Sequence, residues 1–260
     1  MMSVRRNTVI HTPEEIVRIR RAAQLTANVR DEVARLAVPG MTTKELDDLA
    51  GSLIAATGGE SAFLGYGGFP GNICISVNEE VVHGIGRPDR VLLPTDIVSI
   101  DLGVRIDGAC GDTAVTFGLG APMPPAVQNL VEATRRALAA GIAAARAGNY
   151  IRDISAAVEE VGRRAHVGVV RDYVGHGCGI RLHEPPEVPN FVSSMKGPKL
   201  EPGMVLAIEP MFNQGSFKVK TDRIDGWTVR TSDGLPSAHF EHMVLITENE
   251  PEILTWPKTM

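Results

Sequence analysis

The sequence predicts an α+β fold, because its helices and strands come in separate blocks. Helical patterns occur as two pairs, each pair is followed by β-rich sequence, and no linker or low-complexity segment divides the 260 residues. This order favours α+β over a doubly wound parallel sheet. We therefore expect one domain over residues 1–260, with an extended N-terminal arm at residues 1–11. The repeated block order would suit two related halves, although no sequence repeat supports them.

The first helix is predicted from its start signals. Thr12 can cap it, proline follows in the first turn, and Glu15 stands three residues after the cap, which is a capping-box pattern. Pro39-Gly40 ends this helix. A second helix is expected from Thr43 to Gly58-Gly59.

The remaining elements follow from glycine, proline and apolar patterns. A glycine- and aromatic-rich loop at 65–71 precedes a strand at 72–77, and 96–117 reads as two strands around a turn near 105–108. A β-rich remainder includes a hairpin-like turn at 231–234. The second helix pair is predicted at Pro124–Ala147 and Tyr150–His166.

Bulk composition points to a cytoplasmic protein without membrane or specific nucleic-acid partners. The net charge is −5 and basic residues are scattered rather than clustered, so no basic patch is expected. The apolar runs are too short to span a bilayer, and the N-terminus lacks the apolar core of a secretory signal. The three cysteines have unrelated spacings and are expected to be reduced, buried thiols.

Two aspartates on the predicted hairpin are the first candidate metal ligands. Asp101 and Asp112 flank the turn, and any two-residue turn centred on 106–107 or 107–108 puts both on the same face. They would be directly opposite in the first case and diagonal in the second, about 5 or 7–8 Å apart at Cβ. Two carboxylates that close repel each other unless a cation or proton lies between them.

Three further candidates complete a carboxylate-rich set. His176 stands among alternating glycines, which let the backbone approach closely, and Glu209 and Glu241 each border an apolar, strand-like run. Two more histidines are candidates: His83 lies beside a glycine turn, and His183 lies in the same motif as His176. Four carboxylates and one imidazole suit two divalent ions, with manganese, iron(II) or cobalt favoured at least as well as zinc. Residue chemistry thus predicts a two-metal hydrolase.

Over nearly its whole length the sequence resembles type I methionine aminopeptidase, a family with the pita-bread fold. The motifs that carry the resemblance are GYGGFPGNICISVNEEVVHGIG, DIVSIDLGVRIDGACGDTAVTF, YVGHGCGIRLHEPPEVPN, LEPGMVLAIEPMF and DGWTVRTSDGLPSAHFEH. The resemblance implies an antiparallel sheet covered by two pairs of helices in pseudo-two-fold halves. It also implies a metallo-exopeptidase that removes the initiator methionine from nascent proteins and prefers a small second residue.

The resemblance further implies a role for each candidate ligand. Asp101 would bind one ion through both oxygens, Asp112 and Glu241 would bridge two ions, and His176 and Glu209 would complete the second. Glu209 would also accept the proton of the attacking water. His183 would contact the scissile carbonyl or its oxyanion, and His83 would lie near the first amide nitrogen and assist its protonation.

The resemblance also implies which residues line the methionine pocket. Comparison with the family shows four positions at which this sequence departs from it. Phe63 replaces a cysteine found in some relatives, and Leu182 replaces a common aromatic residue. Met243 and His239 stand where threonine and glutamine are frequent, close to the ligands. The residues implied to bind substrate are Phe63, Tyr66, Phe69, Cys74, His83, Leu182, His183 and Trp227.

Two alternatives remain at this point: an X-Pro aminopeptidase or prolidase on the same fold, and a non-catalytic pita-bread binding protein. The first usually carries a large extra N-terminal domain, and the second loses ligands that are all present here. The implied cofactors are two divalent ions (Co, Mn, Fe(II) or Zn). The implied partners are the N-termini of nascent chains at the ribosome, with the enzyme itself a monomer.

Overall fold

The computed structural model describes residues 8–256. Within this range lie four α-helices: α1 (Pro13–Leu36), α2 (Thr43–Ala56), α3 (Pro125–Ala144) and α4 (Ile151–Ala165). The strands are β1 (Glu60–Ser61), β2 (Cys74–Val77), β3 (Glu80–Val82), β4 (Ile97–Ile106), β5 (Ala109–Gly118), β6 (Gly168–Val169), β7 (Gly175–Gly177), β8 (Glu184–Val188), β9 (Val205–Ile208), β10 (Met211–Asn213), β11 (Val219–Thr221), β12 (Val229–Thr231), β13 (Ser237–His239), β14 (His242–Leu245) and β15 (Glu252–Ile253). Of the predicted arm at residues 1–11, residues 1–7 lie outside the described range, and residues 8–11 form neither helix nor strand.

The predicted helix starts are confirmed by their caps. The Thr12 hydroxyl accepts a hydrogen bond from the amide of Glu15 at 3.2 Å, and the Glu15 carboxylate accepts one from the amide of Thr12 at 2.9 Å. Thr42 and Glu45 form the same reciprocal pair at the start of α2. Each pair satisfies two amides that have no partner within the helix.

The first half of the chain is built on the long β4–β5 hairpin. Its turn consists of Asp107 and Gly108, both with positive φ, as a two-residue type I′ turn requires. β4 also pairs antiparallel with β1 and β2. α1 lies directly on β5, where a Cβ at Gly111 would stand 2.0 Å from the Thr26 hydroxyl. This glycine therefore permits the close approach of helix and strand.

The second half repeats the arrangement of a helix pair on antiparallel strands. Its main sheet has the order β15-β14-β9-β7-β8, and all neighbours run antiparallel. α3 and α4 share a core with these strands through residues such as Leu130, Ile154, Leu206 and Val244. The expected antiparallel sheets under two helix pairs are confirmed.

Hydrogen bonds join the two halves beside the predicted ligands. The amide of Glu241 donates to the carbonyl of Ala114 at 3.0 Å, and the Thr113 hydroxyl donates to the carbonyl of Glu241 at 2.8 Å. The strands β5 and β14 are thereby held edge to edge, so ligands from both halves can reach one place.

The hairpin expected at residues 231–234 is wrong. The strands on either side of it do not pair with each other: β12 pairs with β11 and β3, while β13 pairs with β10. The Asp233 carboxylate accepts from the amides of Ser216 and Leu235. The bond from Ser216 holds the turn against the loop between β10 and β11. The chain then crosses to another sheet. Among residues 8–256, no helix is both long and apolar enough to cross a membrane.

Candidate metal centre

The β4–β5 hairpin places Asp101 and Asp112 on one face. Asp101 stands opposite Ala114 and Asp112 opposite Gly103. The two aspartates are therefore diagonal neighbours, which is one of the two arrangements predicted. Asp112 is 3% exposed, and the prediction of two carboxylates on one side of a buried sheet is confirmed.

Three strands of the second half bring the other candidates to the same place. His176 lies on β7 opposite Ala207 of β9, Glu209 directly follows β9, and Glu241 directly precedes β14. The ligand atoms of Asp112, His176 and Glu241 all lie within 4.8 Å of one another. The His176 Nε2 atom is 3.4 Å from Glu209 Oε1 and 3.8 Å from Asp112 Oδ2. Sequence positions 140 residues apart thus meet in one cluster.

Burial and mutual repulsion make the four carboxylates costly to keep charged. Burial raises the pKa of Asp101 to about 7 and that of Glu209 to about 8. The pKa values of Asp112 and Glu241 lie well above the usual range because of burial and then the charges of the neighbouring carboxylates. Within residues 8–256, none of the four forms an ion pair with lysine or arginine. Such a cluster calls for cations.

His176 is held as a neutral ring with a nitrogen directed at the carboxylates. Burial and then His183 lower the pKa of His176 to about 3. Its Nδ1 lies 2.9 Å from the carbonyl oxygen of Gly177, and because a carbonyl only accepts, Nδ1 carries the proton. The Nε2 lone pair is therefore free for a metal ion, which is the usual arrangement of a metal-binding histidine.

The donor set fits divalent cations. Oδ1 of Asp101 and Oδ1 of Asp112 are buried and have no hydrogen-bond partner in the described chain, although buried carboxylate oxygens are normally satisfied. Oxygen-rich ligation with one imidazole suits manganese, iron(II) and cobalt as well as zinc. Asp101, Asp112, His176, Glu209 and Glu241 are the residues that would hold the ions.

A cavity of about 100 Å³ adjoins this cluster. All thirteen site residues singled out in the sequence line it: the five predicted metal ligands and the eight predicted substrate contacts. Its apolar wall includes Phe69, which contacts Trp227 edge-on at 5.3 Å between ring centroids, and Leu182, which is 2% exposed. The complete lining is Phe63, Tyr66, Phe69, Cys74, His83, Asp101, Asp112, His176, Leu182, His183, Glu209, Trp227 and Glu241.

His83 enters the cavity from a strained backbone. Its φ is 60°, a conformation that costs free energy for any residue except glycine and is common at functional sites. A Cβ at the following Gly84 would lie 2.1 Å from the carbonyl oxygen of Ile75. The glycine lets the loop press on β2 and so turns His83 towards the metal cluster. Burial, followed by the nearby His239 and His183, lowers the pKa of His83 to about 4.

His183 stands at the mouth of the cavity. Its Nδ1 lies 2.8 Å from the Tyr66 hydroxyl, and its ring centroid is 4.2 Å from that of His176. A wider groove of about 720 Å³ starts at the same mouth. The groove shares His83, Asp101, His176, His183 and Glu209 with the cavity.

Two residues near the centre were not assigned a role from the sequence. Tyr173 packs edge-on against His83 at 5.4 Å between ring centroids and lines the groove; its place at the start of the His176 motif was the available signal. His239 Nε2 lies 3.3 Å from Glu209 Oε2. Its position beside Glu241, where the sequence departs from the family's frequent glutamine, was the available signal.

Met243 contacts the backbone of a predicted ligand, and the cysteines are buried. The Met243 sulfur accepts from the amide of Asp112 at 3.1 Å, so the replacement of the family's frequent threonine lies under a ligand. All three cysteines are free and buried, as predicted.

Comparisons with known proteins agree with this geometry. The model of Metallopeptidase family M24 matches residues 17–248. A methionine aminopeptidase of Clostridium acetobutylicum is 45% identical over 95% of this chain and 98% of its own length.

Solved structures confirm the expected pita-bread fold. The methionine aminopeptidase of Rickettsia prowazekii superposes with a TM-score of 0.92 at 36% identity, covering 96% of this chain and all of that one. A prolidase from Pyrococcus furiosus gives 0.77 at 22% identity and covers 97% of this chain but only 66% of the prolidase, a likeness of fold alone. The chain therefore belongs to metallopeptidase family M24 and, within it, to the methionine aminopeptidases.

Proposed function

We propose that this chain removes the N-terminal initiator methionine from nascent proteins, preferring a small second residue. The observation that carries the proposal is the single cavity in which a carboxylate-rich metal cluster adjoins an apolar slot. A flexible thioether side chain suits a slot lined by aromatic rings, Cys74 and Leu182. Sequence relatives named methionine aminopeptidase at 45% identity over nearly the whole chain support it.

The site residues divide the chemistry between them. Two divalent ions, when bound, supply a nucleophile at neutral pH and polarise the scissile carbonyl. Glu209, which lies between His176 and His239, would accept the proton of the attacking water. His183 at the cavity mouth would donate to the oxyanion, and His83 would assist protonation of the leaving amide nitrogen.

The shape of the site accounts for cleavage at one end of a chain only. The 100 Å³ cavity is lined by the predicted ligands and by aromatic side chains, and its small volume would admit a single side chain. The wider groove beyond His183 offers a path for the rest of the substrate. An exopeptidase needs this combination of a small pocket for the first side chain and a groove for the rest of the chain.

Further properties belong to the same proposal. Two ions per chain would be bound, drawn from Co, Mn, Fe(II) or Zn, and residues 1–260 would act as one catalytic domain because both halves supply ligands. The enzyme would work as a cytoplasmic monomer on N-termini emerging at the ribosome. Neither a membrane nor a specific nucleic acid would be a partner.

Peptide hydrolysis with metal-free and metal-loaded protein tests the proposal. Release of methionine from Met-Ala-Ser, only with metal, is expected, and Ala-Pro peptides should stay intact. Cleavage confined to X-Pro bonds would instead indicate that this chain is a prolidase-type peptidase, like the more distantly related proteins with this fold. Metal binding without hydrolysis of either peptide would indicate a non-catalytic binding protein.

A further inference from the structure

The N-terminal segment makes a buried contact with the loop that carries His183. His11 is 4% exposed, and its amide donates to the carbonyl of Gly203 at 2.9 Å, which fixes the segment just before β9. The loop in question, residues 177–184, runs from the ligand-bearing strand β7 to the start of β8. We refer to it as the histidine loop.

Glu184 at the end of the histidine loop binds both the loop and His11. Its Oε1 accepts from the amides of Ile180 at 3.1 Å and Arg181 at 2.8 Å. Its Oε2 lies 3.2 Å from His11 Nε2, and the two side chains are 2% and 1% exposed. Neither atom has a hydrogen-bond partner among the described residues, so the pair is a close, buried contact between an imidazole and a carboxylate. The contact with His11 therefore constrains where Glu184 and the loop can lie.

The His11 ring also presses directly on the loop backbone. A Cβ at Gly179 would stand 2.8 Å from His11 Nε2 and 2.9 Å from its Cε1, so the ring seats against bare main chain. On its other side Gly179 accepts from the amide of Cys110 at 2.7 Å. The loop is thus held between the hairpin that carries Asp112 and the N-terminal segment.

We propose that His11 is a positioning residue for His183, acting through Glu184 and Gly179 to hold the histidine loop in its working position. His183 directly precedes Glu184 and has only the Tyr66 hydroxyl as a side-chain hydrogen-bond partner among the described residues. Its ring is therefore set largely by the loop backbone. The inference rests on the proposed function, since it assigns His11 to the reaction in which His183 takes part.

The test is a double-mutant cycle on methionine release from Met-Ala-Ser by the manganese-loaded enzyme. His11→Ala should lower kcat about tenfold with little change in KM, because a displaced catalytic group loses rate steeply. In a His183→Ala background the same substitution should cause no further loss, because residues acting as a unit are non-additive. His11→Gln, which keeps an N–H donor for Glu184, should recover part of the rate.

A matched control separates positioning from general damage to the segment. Ile10→Ala alters the neighbouring residue, which lies against Gly203. Because Ile10 forms no hydrogen bond or ion pair with Glu184 among residues 8–256, this variant should leave kcat unchanged. Mn²⁺ binding by calorimetry should be the same in all variants. An equal loss of rate in both backgrounds, unchanged rate in His11→Ala, or lost Mn²⁺ binding would overturn the inference. If unsubstituted enzyme releases no methionine, the proposed function fails. If unsubstituted enzyme is active and His183→Ala is equally active, the role of His183 fails, and the inference about His11 fails with it.

Discussion

Neutral imidazoles and unpaired carboxylates lie side by side at the metal centre. His176 keeps a free Nε2 because its Nδ1 donates to the carbonyl of Gly177, while Asp101 and Asp112 each have one buried oxygen without a partner among residues 8–256. Each of these groups alone would be a defect of the core. Together they form a set of lone pairs that only cations can satisfy.

Removing one of these carboxylates should remove metal. Asp112→Asn keeps the side-chain shape but takes away a charge that lies within 4.8 Å of the ligand atoms of both His176 and Glu241. We expect at least one Mn²⁺ per chain to be lost in titration calorimetry, together with methionine release. Asp107→Asn, at the exposed tip of the same hairpin, should bind Mn²⁺ normally. Normal binding by Asp112→Asn would show that the ligand assignment is wrong.

His83 should matter for turnover and not for metal. His83→Asn preserves the positive φ, which asparagine tolerates, but removes the ring proposed to assist the leaving nitrogen. A drop in kcat of about 100-fold is expected for a lost proton-transfer group, with Mn²⁺ affinity unchanged. His166 also has a positive φ, of 55°, and lies at the end of α4, so His166→Asn is the matched control. A drop of similar size in His166→Asn would point to backbone strain rather than chemistry.

At the scale of elements, the site depends on how closely α1 lies on β5. A Cβ at Gly111 would meet the Ala22 carbonyl oxygen at 2.6 Å, and a helix backbone cannot yield as a side chain can. Gly111→Ala should therefore lower the free energy of unfolding by about 1–3 kcal/mol, as overpacking does, and weaken metal binding at the adjacent Asp112. Denaturant unfolding and Mn²⁺ titration measure both effects.

Gly118 provides the control on the same strand. A Cβ there would meet only the flexible Met123 side chain, at 3.4 Å, so Gly118→Ala should be close to neutral. Equal stability of the two variants would mean that α1 and β5 adjust freely to each other.

The sequence predicts these elements to different degrees, for identifiable reasons. Helix caps are local, so the Thr12–Glu15 pattern sufficed for α1, and the parity of Asp101 and Asp112 sufficed for a shared strand face. The strand register could be read only from the structure, because it depends on whether the two turn residues are Ile106-Asp107 or Asp107-Gly108. The 231–234 hairpin failed because a local turn signal cannot show which distant strand the chain joins next.

Long-range contacts set a similar limit at the site itself. Glu209 and Glu241 look alike in isolation, as acidic residues beside apolar runs, and only resemblance linked them to Asp112. The contact of His239 with Glu209 and that of His11 with Glu184 join residues 30 and 173 positions apart. No pattern of spacing predicts such contacts, since they follow from the packing of whole sheets.

At the scale of the whole molecule, metal-free protein should become less stable as pH rises. Asp101 and Glu209 have folded pKa values of about 7 and about 8, against about 4 in an unfolded chain. On these carboxyl groups the native state binds more protons than the unfolded state between about pH 4 and 8. Below about pH 6.5, His83 and His176 act in the opposite direction, because their folded pKa values are lowered to about 4 and about 3. The free energy of unfolding is therefore expected to fall as pH rises from about 6.5 to 8. Chelated protein should show this trend in urea unfolding.

Added Mn²⁺ should cancel the trend, because metal replaces the protons and binds more tightly as the carboxyl groups ionise. The stabilisation by Mn²⁺ should be larger at pH 8 than at pH 5. Asp101→Asn, which removes one of the titrating groups, should flatten the slope of the chelated protein. A chelated protein equally stable at about pH 6.5 and pH 8 would contradict the electrostatic account of the site.

The bonds that join Glu241 to Ala114 and Thr113 also bear on how the enzyme is made. A ribosome synthesises Asp101 long before Glu241, so the first hairpin emerges with its carboxylates facing no counterpart. Domains that depend on distant pairings form late and slowly. A growing chain would therefore acquire its metal only when almost all of it has emerged. Removal of its own N-terminal methionine would then depend on enzyme molecules that have already folded.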